Sequence, residues 1–310
     1  MDAKTPDTVG VGLCMLDELL LLPRYPDPAE ETAIHVLGST RQGGGPAATA
    51  MAAAARLGAS AGIVGGIGDD DRGRQIAAGL AAAGVDTSRL LVRAGVRSDL
   101  SVVCVHAPTG RRSFLIDSDP AVRLSPADLD REYVAAARVV LIDGFGPAAL
   151  AAAGCARQAG RTVVLDAAGC PPDRDALEAV LAATDVAIGS AAFGRGLIGR
   201  DDPAAAADAA RALGPATAVV TGGADGAWAA SPEGRFHQPA FDVDVVDTTG
   251  AGDVFHGAFI VGLLEGRPLR GTTAFAAAVA AMSCRALGGR AGIPTRQEAL
   301  DFLAARAGTD

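Results

Sequence analysis

Val139-Val140-Leu141-Ile142-Asp143, a helix-like run from Ala148 to Ala159, and Thr162-Val163-Val164-Leu165-Asp166 decide how this chain folds. Two short apolar runs separated by a helix-length segment read as strand, helix and strand, a spacing that makes a parallel βαβ unit. The alternation extends to both sides. Ser125 to Ala137 and Asp175 to Ala183 read as helices, and Val186-Ala187-Ile188 and Thr217-Ala218-Val219-Val220 as further strands. The class is therefore α/β, with a mostly parallel central sheet flanked by helices. No internal repeat or linker interrupts the 310 residues, so a single domain over residues 1–310 is expected.

Downstream lies the stretch with chemical content, Asp247-Thr248-Thr249-Gly250-Ala251-Gly252-Asp253-Val254-Phe255-His256-Gly257-Ala258-Phe259. Gly250, Ala251 and Gly252 let an anion approach main-chain N–H groups that have no partner within the helix they open, where the helix dipole also favours negative charge. Asp253 follows in the first turn, placed to accept a proton from an alcohol held against a bound phosphate. The plainer reading of the string alone is an acidic helix start after a glycine turn. Before it, Thr221-Gly222-Gly223-Ala224-Asp225-Gly226 closes a strand and reads equally as a nucleotide-phosphate loop or as a turn into Ala227-Trp228-Ala229. After it come an Ala-rich helix, Leu269 to Leu287, and a C-terminal helix, Arg296 to Arg306.

Upstream, Thr8 to Cys14 is strand-like and runs into Met15-Leu16-Asp17-Glu18, so Asp17 is either a turn residue or a hydroxyl-binding carboxylate at the ligand edge of the sheet. Gly10-Val11-Gly12 is not a dinucleotide fingerprint, because Met15 stands at the third glycine position and no helix starts there. Gly43-Gly44-Gly45-Pro46 leads into a helix ending at Gly58. Proline suits the first helical turn, but three glycines exceed what a helix start needs, and close approach to a polyhydroxy ligand would explain them. Asp69-Asp70-Asp71 reads as the acidic start of a helix through Ala83, not as a metal site. Between about 96 and 118, Leu100 to His106, a Pro-Thr-Gly turn and Arg111 to Asp117 read as a hairpin. With residues 17–42 it makes a small β-sheet lid that excludes water and offers a dimer surface. His106 is the one histidine kept as a ligand contact; Arg111 and Arg112 either reach inward as an anion clamp or, on the plain reading, form a solvated lid edge.

Composition removes other classes. Hydrophobic residues make up 49% and charged residues 20%, an ordinary globular balance. A net charge of −9 without any basic run excludes nucleic acid and anionic membrane as expected partners, leaving a small molecule. Five scattered cysteines without CxxC spacing predict neither disulfides nor zinc, and together with the absence of a signal pattern they point to the cytoplasm. Lys4 is the only lysine, so the Walker-A lysine and the protein-kinase lysine have no counterpart.

The combined pattern resembles the ribokinase-like, or PfkB, carbohydrate kinases over essentially the whole chain. The resemblance implies ATP-dependent phosphorylation of a sugar, with Asp253 as base and Gly250, Ala251 and Gly252 as anion hole. It implies Asp17, Gly43 and Gly44 on sugar hydroxyls and Thr221, Gly223 and Gly226 along the ATP. Asp247 and Thr249 match positions that help bind a monovalent cation in several members, so K+ joins ATP and Mg2+ among the implied cofactors, and a homodimer through the lid is the implied assembly. Within the family, Gly43 to Ala50, Val245 to Gly257 and Gly288-Gly289-Arg290-Ala291-Gly292-Ile293-Pro294 are most similar to sulfofructose kinases. Ile116 and Phe145 stand where those enzymes carry polar sulfonate-reading residues, and Glu30 to His35 holds no lysine, so a less anionic sugar is expected. Ala48 replaces the usual asparagine after the diglycine. Ser190-Ala191-Ala192-Phe193 stands where an Asn-x-x-Glu motif is common, which leaves magnesium to water and other carboxylates.

Overall fold

The computed structural model describes residues 5–31 and 33–307. The chain opens with β1 (Thr8–Val11), leaves it for β2 (Met15–Leu22) and β3 (Gly38–Gly44), and passes through α1 (Pro46–Arg56) to β4 (Ala61–Gly68). After α2 (Asp71–Ala82) and β5 (Val85–Arg93) come the hairpin strands β6 (Leu100–His106) and β7 (Arg111–Asp117). From α3 (Arg131–Ala136) strands and helices alternate: β8 (Val139–Asp143), α4 (Pro147–Gln158), β9 (Thr162–Ala167), α5 (Arg174–Ala182), β10 (Val186–Ser190), α6 (Ala191–Ile198), α7 (Pro203–Ala212) and β11 (Thr217–Thr221). β12 (Ala227–Ser231) and β13 (Gly234–Gln238) precede α8 (Ala251–Leu264), α9 (Leu269–Ser283) and α10 (Arg296–Ala307).

The main sheet has nine strands in the order β13-β12-β11-β10-β9-β8-β1-β4-β5. All neighbours from β11 to β5 are parallel, and β12 and β13 add an antiparallel edge. The central strands are apolar on both faces because both are covered. Val140 and Ile142 pack with residues of α4 and α5, while Leu141 between them packs with residues of α1 and α8. A second sheet, β3-β2-β6-β7, forms the lid, and its register sets Gln42, Asp17, Ser101 and Ile116 side by side across the four strands. No helix among the described residues is long and apolar enough to cross a membrane.

Several elements differ from expectation for local reasons. The run expected to carry Asp17 to a strand end is two strands in two sheets. Gly12 passes so close to Asp143 that a Cβ would collide with it, Leu13 N donates to Asp143 Oδ2 (3.0 Å), and Leu16 N donates to Asp99 O (3.0 Å). Asp17 therefore lies inside lid strand β2. The helix expected over 125–137 breaks at Asp130, which caps α3 by accepting from Tyr133 N (3.0 Å). The helix expected to reach Leu287 stops at Ser283, because the Cys284 carbonyl turns to accept from Val246 N (2.9 Å) and Asp247 N (3.2 Å).

Candidate active site

The α8 N-terminus is built by its flanking loops. Gly250 sits in the left-handed region (φ 70°), and a Cβ there would come within 2.7 Å of Gly289 Cα, so only glycine lets these two loops meet. Asp247 ties them together: its Oδ1 accepts from Thr249 N (2.8 Å) and Thr249 Oγ1 (2.7 Å), and its Oδ2 from Gly288 N (2.8 Å). Both carboxylate oxygens of the expected cation ligand are thus already engaged in shaping the anion loop. Gly252 is different, since nothing lies within 4 Å of the place its Cβ would occupy, and the residue is exposed. It lies at the helix start, where Ala251 N donates to Thr248 O (3.3 Å) and the Gly250 and Gly252 amides make no backbone hydrogen bond among the described residues.

Behind Asp253 lies a layer of titratable groups. Asp143 and Asp166 end β8 and β9 as register partners. Asp166 Oδ2 is buried without a hydrogen-bond partner among the described residues and lies 3.6 Å from His256 Nδ1. His256 Nδ1 is also 2.7 Å from Gly252 O, and its Nε2 is 3.3 Å from Ile188 O, so the ring joins the first turn of α8 to β10. Burial is the main cause that raises the Asp253 carboxyl above the ordinary range; Asp166 adds to it and His256 opposes it. Burial also raises Asp143 and Asp166 and lowers His256.

Asp17 faces this layer from the lid. It is 7% exposed, and burial pushes its carboxyl up to about 7, with Arg290 pulling it down. A Cβ on Gly44 would collide with the Asp17 carboxylate, and one on Gly43 with the Arg290 guanidinium. Arg290, for which the sequence suggested no role, donates from Nη2 to Gly44 O (3.1 Å) and from Nε to Thr49 Oγ1 (3.3 Å). Arg112 takes the inward one of its two readings. Its Nη1 donates to Thr248 Oγ1 (2.7 Å), and that hydroxyl donates to Gly110 O (3.1 Å), so the hairpin tip rests on the anion loop. The only sequence signal for either arginine was its company: Arg290 stands among Gly288, Gly289 and Gly292, and Arg112 next to a tight turn.

The remaining expected residues fall elsewhere. His106 stacks on Tyr25 (5.7 Å between rings) and its Nδ1 meets Thr109 Oγ1 (2.8 Å). It pairs with Leu22 while Asp17 pairs with Ser101, five residues apart and about 16 Å along the strand, so the lid does not bring His106 to Asp17. Thr221, Gly223 and Gly226 share one turn, in which Gly222 N donates to Gly226 O (2.7 Å). Gly226 (φ 90°) is required because a Cβ would strike Gln238 O, whereas Gly223 faces open space. Ser190 caps α6 by accepting from Phe193 N (3.2 Å), and Phe193 is buried in the core against Phe145, so this segment holds no metal-handling carboxylate. Ile116 is exposed on β7, and Ala48 is buried in α1.

The model of the pfkB family carbohydrate kinases matches residues 8–296, which span the central sheet, the lid sheet and the α8 helix start. The chain belongs to this family. As a PfkB carbohydrate kinase it is a phosphotransferase acting on a sugar hydroxyl. It is similar to the 5-dehydro-2-deoxygluconokinase of Shouchella clausii, with 30% identity over 96% of this chain and 95% of that one. It is also similar to the ATP-dependent ribose-1-phosphate kinase of Halopiger xanaduensis, with 32% identity over 96% of this chain and 98% of the other. The ribokinase of Arabidopsis thaliana, solved with ribose and ATP, superposes with a TM-score of 0.82 at 26% identity, over 96% of this chain and 99% of that one. A solved structure from Agrobacterium tumefaciens superposes at 0.90 with 28% identity, over 98% of this chain and 99% of that one. The ribokinase-like fold with its lid sheet is therefore that of this chain.

Proposed function

We propose that this kinase transfers the γ-phosphate of ATP to a hydroxyl of a small, neutral sugar or sugar derivative, with Asp253 as the base. The observation that carries the reading is the open space at Gly252 at the α8 N-terminus, one residue from the Asp253 carboxylate in the first turn, which Asp17 influences from the lid. The γ-phosphate is assigned to the amides of Gly250, Ala251 and Gly252, of which Ala251 N also donates to Thr248 O (3.3 Å), and the helix dipole and these N–H groups offset its charge. The acceptor hydroxyl lies between it and Asp253. As the bond from the sugar oxygen to the γ-phosphorus forms, the bond to the bridging oxygen of ADP breaks, and the hydroxyl proton passes to the Asp253 carboxylate. The raised affinity of Asp253 for a proton suits it to that acceptance once ionised. Lys4 lies outside the described residues; Arg112 donates to Thr248 beside the helix start, and Arg290 influences Asp17 and Asp253.

Among the described residues no group of three or more His, Cys, Asp or Glu could hold a metal ion. That suits Mg2+ arriving on the nucleotide, held by phosphates and water with at most one or two carboxylates. When bound it neutralises phosphate charge; the chain's own groups orient the phosphate and take the proton. K+ would have to use carbonyl oxygens near Asp247, whose carboxylate is already occupied. Thr221, Gly223 and Gly226 are assigned to the ATP, with open Gly223 the point of closest approach. The edge strand β7 exposes Phe114 (49%), Leu115 (64%) and Ile116 (54%), an apolar edge that calls for a partner, and a second copy joined through the lid is the assembly assigned. Five free cysteines suit a cytoplasmic address.

The test is an ADP-release screen with purified protein and ATP·Mg2+ over pentoses, hexoses, ketoses, their phosphates, sulfosugars and nucleosides. Sugar-dependent ADP release with a phosphorylated product is expected. Release from nucleosides alone, or from none of these compounds, would refute the reading.

A further inference from the structure

The start of α8 has almost no side chains by which the rest of the protein could hold it. Gly250, Ala251 and Gly252 carry at most a methyl group, nothing lies within 4 Å of the place a Gly252 Cβ would take, and the Gly252 amide makes no backbone hydrogen bond among the described residues. A glycine-rich turn left open on that side has to be fixed through its carbonyls. Gly250 O accepts from Val254 N (2.8 Å) in the ordinary helical way. Gly252 O meets a side chain, His256 Nδ1 at 2.7 Å, and the other ring nitrogen, Nε2, is 3.3 Å from Ile188 O in β10. Every other buried residue of α8 is apolar or glycine, so packing alone does not call for an imidazole here.

The partners fix the tautomer. A carbonyl oxygen only accepts, so the shorter contact places a proton on Nδ1. Asp166 supports that placement: its Oδ2 is buried without a hydrogen-bond partner among the described residues and lies 3.6 Å from the same nitrogen. A neutral ring then has no N–H left for Ile188 O, which gains its bond only when the ring is charged; burial opposes that charge, while the two carbonyls, Asp253 and Asp143 favour it. The charged groups around the ring are Asp143 and Asp166 at the ends of β8 and β9 and Asp253 on α8, with Asp17 acting on Asp253 from the lid and Arg290 from the loop after α9.

We propose that His256 is a positioning residue for phosphoryl transfer: its Nδ1–H holds the Gly252 carbonyl, the one group of the chain that lies between the Gly252 amide and the Asp253 side chain, and so sets the phosphate site and the base at a fixed spacing. This rests on the roles given above to Gly252 and Asp253. Transfer requires the acceptor oxygen to sit between those two groups, so a turn free to rock would lose the alignment while keeping most of the binding.

The test separates the two ring nitrogens in the full-length protein. An asparagine amide nitrogen falls near the place of Nδ1 and a glutamine one near Nε2, so His256→Asn keeps the bond to Gly252 O and His256→Gln keeps only that to Ile188 O. With ATP·Mg2+ and D-ribose or D-fructose, His256→Gln should lower kcat about tenfold or more with the KM for the sugar within about twofold, and His256→Asn should keep about a third or more of wild-type kcat, although both lose similar melting temperature. Calorimetry without an acceptor should show the affinity for β,γ-imido-ATP·Mg2+ relative to ADP·Mg2+ falling about fivefold or more in His256→Gln and less than about twofold in His256→Asn. Nitrogen NMR of the isotope-labelled histidines, with the signal lost in either variant assigned to His256, should show Nδ1 protonated from about pH 5 to about pH 9; this reading needs only wild type and one folded variant. Equal kinetic losses in the two variants, wild-type kinetics in His256→Gln, or a neutral ring protonated on Nε2 alone would overturn the proposal. A ring protonated on Nδ1 and an analogue ratio that falls only in His256→Gln, in a protein that phosphorylates none of the compounds screened, would keep the clamp and sink the kinase reading.

Discussion

Replacing Asp17 with asparagine should stabilise the protein at alkaline pH and not at acidic pH. The carboxyl is 7% exposed, and its pKa is pushed from 3.8 to about 7, first by burial and then by Asp247, against the pull of Arg290. A folded value above the unfolded one means that the folded state holds the proton more tightly. Stability from this group is full below about pH 4 and is lost as pH rises toward 7. About three units at about 1.4 kcal/mol each make a cost of about 4 kcal/mol at pH 8. Asparagine removes that cost but buries an amide with no partner in reach, a penalty of about 1–3 kcal/mol. The charge effect wins at pH 8, where a net gain of about 1–3 kcal/mol raises Tm by about 2–6 °C in a domain of this size. Near pH 4 the carboxyl is protonated in the folded state and close to half protonated in the unfolded one, so only about 0.5 kcal/mol of that cost remains against the amide penalty, and the variant should be equal or less stable. Thermal and urea unfolding at the two pH values read this directly. A variant less stable at pH 8, or one whose difference from wild type does not change between the two, would refute a buried, charge-strained Asp17.

Asp253→Asn should lower kcat about a hundredfold or more with ATP binding nearly intact, because the proton acceptor is lost and the shape kept; activity within a few-fold of wild type would remove the base assignment. Gly252→Val should abolish transfer by filling the open space over the helix amides, and near-normal kinetics would place the phosphate elsewhere. Arg112→Ala should raise the KM for ATP or lower kcat by about tenfold, since it removes the lid cation that rests on Thr248; melting temperature should barely move, because the side chain is exposed, and a variant with wild-type kinetics would return Arg112 to the solvated lid edge. Fructose should be turned over with a higher kcat/KM than its 6-phospho or 6-sulfo forms; a preference for either anion that disappears in Arg112→Ala would make that arginine an anion clamp for the acceptor instead.

The parts of the fold legible in the sequence are those whose burial leaves a simple pattern. Val139 to Ile142 and Val163 to Leu165 are apolar throughout because both faces of those strands are covered, whereas the helices capped by Ser190 and Asp202 were not read. β5 and β13 escaped notice because they are sheet edges: Asp86, Ser88 and Arg89 on one and Arg235 and His237 on the other mix polar faces into the run. The passage of Thr8 to Leu22 between two sheets was hidden for another reason. What turns the chain there is Asp143, more than 120 residues away, whose carboxylate holds Leu13 N. In the site, the stretch around Asp253 was readable because its residues are consecutive. Arg112 was readable only as one of two alternatives and Arg290 not at all, since their contacts with Thr248, Thr49 and Gly44 join segments about 140 and 240 residues apart.

Glycine makes the same point at finer scale, because a sequence records the missing side chain and not what occupies its place. Gly250 is needed for its left-handed backbone and for Gly289, and Gly226 for the strand behind it. Gly43 and Gly44 make room for a guanidinium and a carboxylate of the same chain. Only Gly252 and Gly223, of the site glycines quoted from the sequence, leave their space empty. An unfilled space at a helix start is what a ligand needs, and a filled one shows which side chains the glycine admits. On the proposed function the γ-phosphate is assigned to the empty position at the α8 start, while the spaces at Gly43 and Gly44 belong to Arg290 and Asp17. A substitution at Gly252 should then act on phosphoryl transfer, and one at Gly43 on the placement of Arg290, though both remove nothing but a hydrogen.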